Sequence, residues 1–170
     1  MKSRSRRATS RSSEGGGRAG AIRAALLAAA ALAACDTAVL GPQQDALDEA
    51  RERWAAASIE SYTLEVQRSC FCIGEYVRPI RVEVRDGAVV GAVFADDGEA
   101  LPAEIEPPTV ALLFEEIQTA IEREAHAILA SYDDALGYPL DVSIDFIAEA
   151  VDEEMAFRVH RLDPVTPAAG

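Results

Sequence analysis

Apolar and polar residues alternate in several short stretches of this chain and recur at helical spacing in two. Leu47, Ala50, Trp54 and Ala57 fall three or four apart, which predicts a helix that Asp45 can cap and that ends near Ser58. Tyr62, Leu64 and Val66 alternate with Thr63 and Glu65, the period of a half-buried strand. Two further β-rich runs, Ile80 to Arg85 and Ala88 to Phe94, flank Asp86-Gly87, a pair that favours a type I′ hairpin turn. Uniform pairing across that turn sets Val84 opposite Val89 and Ile80 opposite Val93. Residues 95–108, rich in Asp, Glu, Gly and Pro, read as an exposed loop. Thr109 then caps a second helix, with Val110, Leu113, Phe114, Ile117, Ala120 and Ile121 on one face. A strand through Ile128, Ala130 and Tyr132, a turn from Asp133 to Pro139, and a strand through Leu140, Val142, Ile144 and Phe146 follow. Met155, Phe157 and Val159 close the sheet.

These elements predict an α+β domain: two helices packed on one face of an antiparallel sheet of about six strands, in the order α-β-β-β-α-β-β-β. The order suggests two similar halves, echoed at residue level only by Ser61-Tyr62 and Ser131-Tyr132. The expected divisions are a leader over 1–34, a tether over 35–44 that contains Gly41-Pro42, a single domain over 45–162 and a loose tail over 163–170.

The leader has the three parts of an export signal: a basic segment through Arg23, an apolar run from Ala24 to Ala34, and small residues at the cleavage point. Eleven residues are too few to span a hydrocarbon core, which needs about 20 in helical form. Leu32-Ala33-Ala34-Cys35 resembles the lipobox of bacterial lipoproteins, which implies acylation of Cys35, anchoring on a membrane, and a location outside the cytoplasm. Asp36 weakly suggests retention at an inner membrane. Arg6-Arg7 is not followed by the apolar residues of a twin-arginine signal.

Charge sharpens this division. Seven of the 16 basic residues precede Cys35 against one of the 29 acids, leaving 9 basic and 28 acidic residues from Cys35 onward, a net charge of −19. Such a field repels nucleic acid and acidic headgroups and favours basic partners. Solubility alone also accounts for it.

Ser69-Cys70-Phe71-Cys72 is the constellation with most chemical potential. Counting on from Tyr62, Leu64 and Val66 places Cys70 and Cys72 on the apolar face, with both sulfurs inward if the strand runs that far. An oxidising compartment favours a disulfide, with Cys35 committed to lipid. So small a ring must bend the backbone, because ideal strand geometry puts the two Cα atoms near the upper limit of about 6.8 Å. Three readings remain open: a structural staple, a redox-active pair, and a soft-metal site for Cu(I) or Zn that would need further ligands. The two histidines, His126 and His160, fall on predicted strands. The acidic groups Asp96-Asp97, Asp133-Asp134 and Asp152-Glu153-Glu154 lack the ligand spacing of an EF-hand and read as solvated faces. Phosphate-binding glycine loops, a nucleophile elbow and a His-Glu-x-x-His pattern are absent from the sequence, so no catalytic set and no cofactor is assigned.

Trp54, Tyr62-Thr63-Leu64, Ser69-Cys70-Phe71-Cys72, Pro79-Ile80-Arg81-Val82 with Asp86-Gly87, Leu113-Phe114, Gly137-Tyr138-Pro139 and Ile144-Asp145 together resemble a family of bacterial lipid-anchored or secreted domains of unknown function, that numbered 6174. The resemblance spans Leu47 to Val159 and implies a fold and an address, with no activity attached. The expected function is therefore a non-enzymatic envelope lipoprotein whose domain binds another macromolecule, with an unidentified protein as the expected partner, or acts as an accessory part of a membrane-bound assembly. The alternative is a thiol-redox or soft-metal protein acting through Cys70 and Cys72.

Overall fold

The computed structural model describes residues 37–150 and 152–165; the leader expected over 1–34, Cys35 and the last residues of the expected tail, 166–170, lie outside them. The fold below is that of the unit Val39–Gly170. Its elements are α1 (Thr37–Ala57), β1 (Tyr62–Cys70), a 3₁₀ turn (Gly74–Val77), β2 (Ile80–Arg85), β3 (Ala88–Phe94), α2 (Val110–Glu122), β4 (Ala127–Tyr132), β5 (Pro139–Asp145) and β6 (Met155–Pro164). All pairings are antiparallel, in the order β3-β2-β1-β6-β5-β4. Two helices on a six-stranded antiparallel sheet is the architecture the periodicities predict.

Both helices cover one face. Leu47 and Ala50 of α1 and Val110, Leu113 and Ile117 of α2 are buried against Leu64, Val66, Val82 and Ile144 of the sheet. Each Leu or Ile taken fully out of water contributes about 1.5–3 kcal/mol, so this layer is what holds the helices down. Arg51 also donates to the Phe114 carbonyl at 3.2 Å and to Gln118 at 2.7 Å, tying α1 to α2. Thr109 caps α2 as expected, its Oγ1 accepting from the Leu112 N–H at 3.1 Å.

Four expectations change. The tether over 35–44 is helical from Thr37, and Asp45 is an exposed residue within α1 rather than its cap. Proline's fixed φ suits helical backbone, but Pro42 stands inside α1, past its first turn, where it removes one backbone hydrogen bond that the rest of the helix must outweigh. Ser58, at φ 51°, ends the helix as predicted. The tail begins later than residue 163, because Asp163 and Pro164 pair with Thr63 and Tyr62. In the first hairpin, Asp86 and Gly87 both have positive φ, as a type I′ turn requires, and Val84 pairs with Val89. Beyond that a bulge at Val90 moves Ile80 opposite Phe94 instead of Val93.

The halves share an element order but not an arrangement. Carrying β1-β2-β3 onto β4-β5-β6 must reverse strand direction while keeping the left-to-right order, which only a rotation about an axis in the sheet achieves. That rotation would put the helices on opposite faces, whereas they touch on one.

Candidate functional site

β1 ends at Cys70, and Cys70 and Cys72 are joined by a disulfide with their Cα atoms 5.2 Å apart. An extended strand would separate them by about 6.6 Å, so the closed ring and a continuing strand exclude one another. The inward orientation expected for both sulfurs is thereby corrected: Cys70 is half-buried and Cys72 exposed at the end of the sheet. Phe71 is 84% exposed and Ile73 74% exposed. The returning chain is held to β1 by Gln67, whose Nε2 donates to the Val77 carbonyl at 2.9 Å. A shallow groove of about 330 Å³ opens beside the ring, between Phe71, Ser143, Glu154 and Met155. In this state a thiolate can attack one sulfur, forming a mixed disulfide and releasing the other sulfur as a thiolate, a second thiol completing the two-electron reduction that metal ligation would require.

The acidic groups fold loops. Arg78 lies 3.8 Å above the Phe94 ring centroid and donates to Asp96 (Nε 3.1 Å, Nη2 2.5 Å) and Asp97 (2.5 Å). Those hydrogen bonds hold the Asp96 carboxyl below its ordinary range. Asp133 Oδ1 accepts from the N–H groups of Ala135 and Leu136, closing the turn after β4. Glu153 accepts from Phe146 and Ile147, closing the loop after β5. Of the histidines, His126 lies in the bend before β4 rather than on a strand, while His160 is the bulged residue of β6, 3.3 Å from Gln67 Oε1. Among the described residues no group of three or more His, Cys, Asp or Glu is arranged to hold a metal ion. No helix among them is long and apolar enough to cross a membrane.

At the opposite end of the sheet Trp54 packs edge-on against Tyr62 (5.6 Å between centroids) and Tyr138 (6.3 Å). The Tyr62 hydroxyl accepts from the Val110 N–H at 3.3 Å, the start of α2, and burial raises its pKa. Gly137, at φ 83°, lets the 133–139 turn press against α1: a Cβ there would lie 2.3 Å from the Ala50 carbonyl oxygen. Trp54, Tyr62, Gly137 and Tyr138 thus form one clamp joining α1, β1, the turn and α2.

Sequence reasoning missed the uncovered sheet face. A groove of about 510 Å³ crosses it between Gln67, Leu129, Ser131, Asp141 and Arg158. Leu129 is 72% exposed there, and Arg158 donates to Asp141 at 2.6 Å. Its only signal in the sequence was a leucine on the polar side of an alternating strand.

Comparison with curated proteins and with solved structures gives no match. A family model does match residues 46–164, from α1 through the last residue of β6, and the chain belongs to that family, a family of unknown function (DUF6174).

Proposed function

We propose that the protein is exported, held by an acylated Cys35 on the extracytoplasmic face of a bacterial membrane, and serves there as a non-enzymatic binding or accessory component of a protein assembly. The observation that carries the binding role is the uncovered sheet face, where exposed Leu129 sits in a groove rimmed by Gln67, Ser131 and the Asp141–Arg158 pair. An apolar centre with a polar rim suits a protein surface. The net charge of −19 from Cys35 onward favours a basic one.

A photo-crosslinking residue at Leu129, in the full chain expressed in cells, is expected to yield one discrete protein adduct that the same residue at Val90 does not. Acylation is read in parallel from the intact mass of the mature chain. An acylated chain with no adduct specific to Leu129 removes the binding role.

A second reading, thiol-redox or soft-metal handling through Cys70 and Cys72, is favoured by the exposure of Cys72. Ready, reversible reduction in thiol-labelling experiments, or stoichiometric uptake of Cu(I) or Zn by the reduced pair, would establish it over the first. A pair that stays oxidised in mild reductant and takes up no metal removes it.

A further inference from the structure

The two ends of the sheet differ in kind. At one end Trp54 meets Tyr62, and Tyr62 meets the start of α2. At the other, β1 stops at Cys70 opposite Met155, β5 stops at Asp145, and β4 begins at Ala127. Three large apolar side chains stand out from this second end: Phe71 (84% exposed), Ile73 (74%) and Ile147 (56%). They come from two separate loops, each braced: the Cys70–Cys72 ring with the Gln67 bond behind it, and the 146–153 loop closed by Glu153.

The start of α1 comes to the same end. Followed backward from Trp54, α1 passes Arg51 and Gln44, which bond Gln118 far along α2. It then reaches Pro42 and Gln43, which line a groove along β4 with Ile128, Leu129, Ala130 and Tyr132. Only seven positions separate Pro42 from Cys35. Even fully extended they reach about 25 Å. That does not exceed the length of β1, whose eight steps from Tyr62 to Cys70 span about 27 Å. An anchor at Cys35 therefore brings the Phe71 end, not the Trp54 end, to the membrane.

We infer that Phe71, Ile73 and Ile147 form an apolar foot that enters the interfacial layer of the bilayer beside the lipid anchor, fixing the domain's orientation on the membrane. The inference rests on the acylation of Cys35 proposed above. Arg68 and Arg123 stand at this end as well, stacked on the rings of Phe157 and Phe146 and without a carboxylate partner among the described residues, so they can face lipid phosphates. Exposed Glu149 and Asp152 lie on the same loop as Ile147, and exposed Glu154 directly follows it. The foot consequently engages through apolar insertion and favours neutral lipid over anionic lipid.

The test uses the full, acylated chain in vesicles of phosphatidylcholine and phosphatidylethanolamine, with Phe71→Trp, and Ile147→Trp as a second site should the first disturb the ring. Val90→Trp, exposed on β3, serves as the comparison, and half-buried Trp54 supplies the same background in all three. Emission from Trp at 71 and at 147 should shift to the blue, be quenched by lipids brominated near the headgroup, and lose its quenching by aqueous iodide; Trp at 90 should do none of these. Iodide access at 71 and 147 unchanged by vesicles, in a chain whose mass shows the acyl groups, overturns the foot and leaves the anchor standing. Protection in native membranes but not in pure lipid assigns this end to a protein and also overturns it. A mature chain lacking acyl mass removes the anchor, and the foot falls with it.

Discussion

Gly137→Ala should be among the most damaging single-atom changes available in this protein. Two costs combine. An alanine at φ 83° carries a left-handed penalty of about 1–2 kcal/mol. Its Cβ would also stand 2.3 Å from the Ala50 carbonyl oxygen, 2.8 Å from Arg53 Cβ and 3.1 Å from the Trp54 nitrogen. Most of these atoms are helix backbone, so α1 itself must move away from the turn, an overpacking cost of about 1–3 kcal/mol. The sum, about 2–5 kcal/mol, is a large share of the 5–15 kcal/mol typical of a domain.

Gly98 supplies the internal control. Its φ of 78° is nearly the same, but nothing lies within 4 Å of where its Cβ would be. Gly98→Ala therefore pays the backbone penalty alone, and the difference between the two variants isolates the contact with α1. In urea unfolding followed by Trp54 fluorescence, Gly137→Ala should lower the midpoint by about 1–2 M at an m-value near 2 kcal/mol/M. Gly98→Ala should lower it by about 0.5–1 M on the same scale. Equal shifts in the two variants would refute the clamp, because close approach to α1 would then contribute nothing.

Three other perturbations test separate parts of the structure. Replacing both Cys70 and Cys72 by serine should lower stability by no more than about 2 kcal/mol, since a three-residue ring removes little chain entropy and the pair lies outside the core; a larger loss in denaturant titration would show the ring to be structural. Asp96, its pKa lowered by the bond from Arg78, contributes stability that is full above the ordinary carboxylate pKa of about 3.9 and is lost as pH falls through the lower folded value. Arg78→Ala should return the Asp96 carboxyl titration, followed by NMR, toward the ordinary value, and an unmoved midpoint would rule the pairing out. Burial raises Tyr132 to about 12 and raises Tyr62 and Tyr138 as well. The unfolded phenols ionise near pH 10, so the stability linked to them is full below about pH 10 and declines as pH rises through the folded values. Phenolate absorbance in the folded protein should lag behind that of the urea-unfolded protein, and coincident titrations would contradict the burial.

Local chemistry was legible where it is cooperative with the fold. Asp86-Gly87 specified its turn, Thr109 its cap, and the 3.6-residue spacing of Leu113 and Ile117 the buried face of α2. What could not be read is set by tertiary context. Gly41-Pro42 punctuates most chains, but a helix anchored downstream by Leu47 and Ala50 runs through it. A bulge shows only as a slip in the phase of an alternating pattern, as at His160, where the inward series Met155, Phe157, Val159 continues at Leu162. The Cys70–Cys72 site was found by composition but misplaced by periodicity. Counting in twos assumes a strand, and the disulfide is what ends it.

Two groups of the residues that carry the family resemblance stand at opposite ends of the sheet, and they differ in what they give the core. Trp54, Tyr62, Gly137, Tyr138 and Pro139 meet at one end, where aromatic contacts, a glycine without room for a Cβ and a fully buried proline give each of them a structural reason to be what it is. Cys70, Phe71 and Cys72 stand at the other end and give the core almost nothing. A phenylalanine 84% exposed in a closed ring forgoes about 1.5–3 kcal/mol that burial would have supplied. Folding offers no compensation for that arrangement, since the ring caps no helix and fills no cavity. The apolar foot proposed above would supply that compensation from outside the domain.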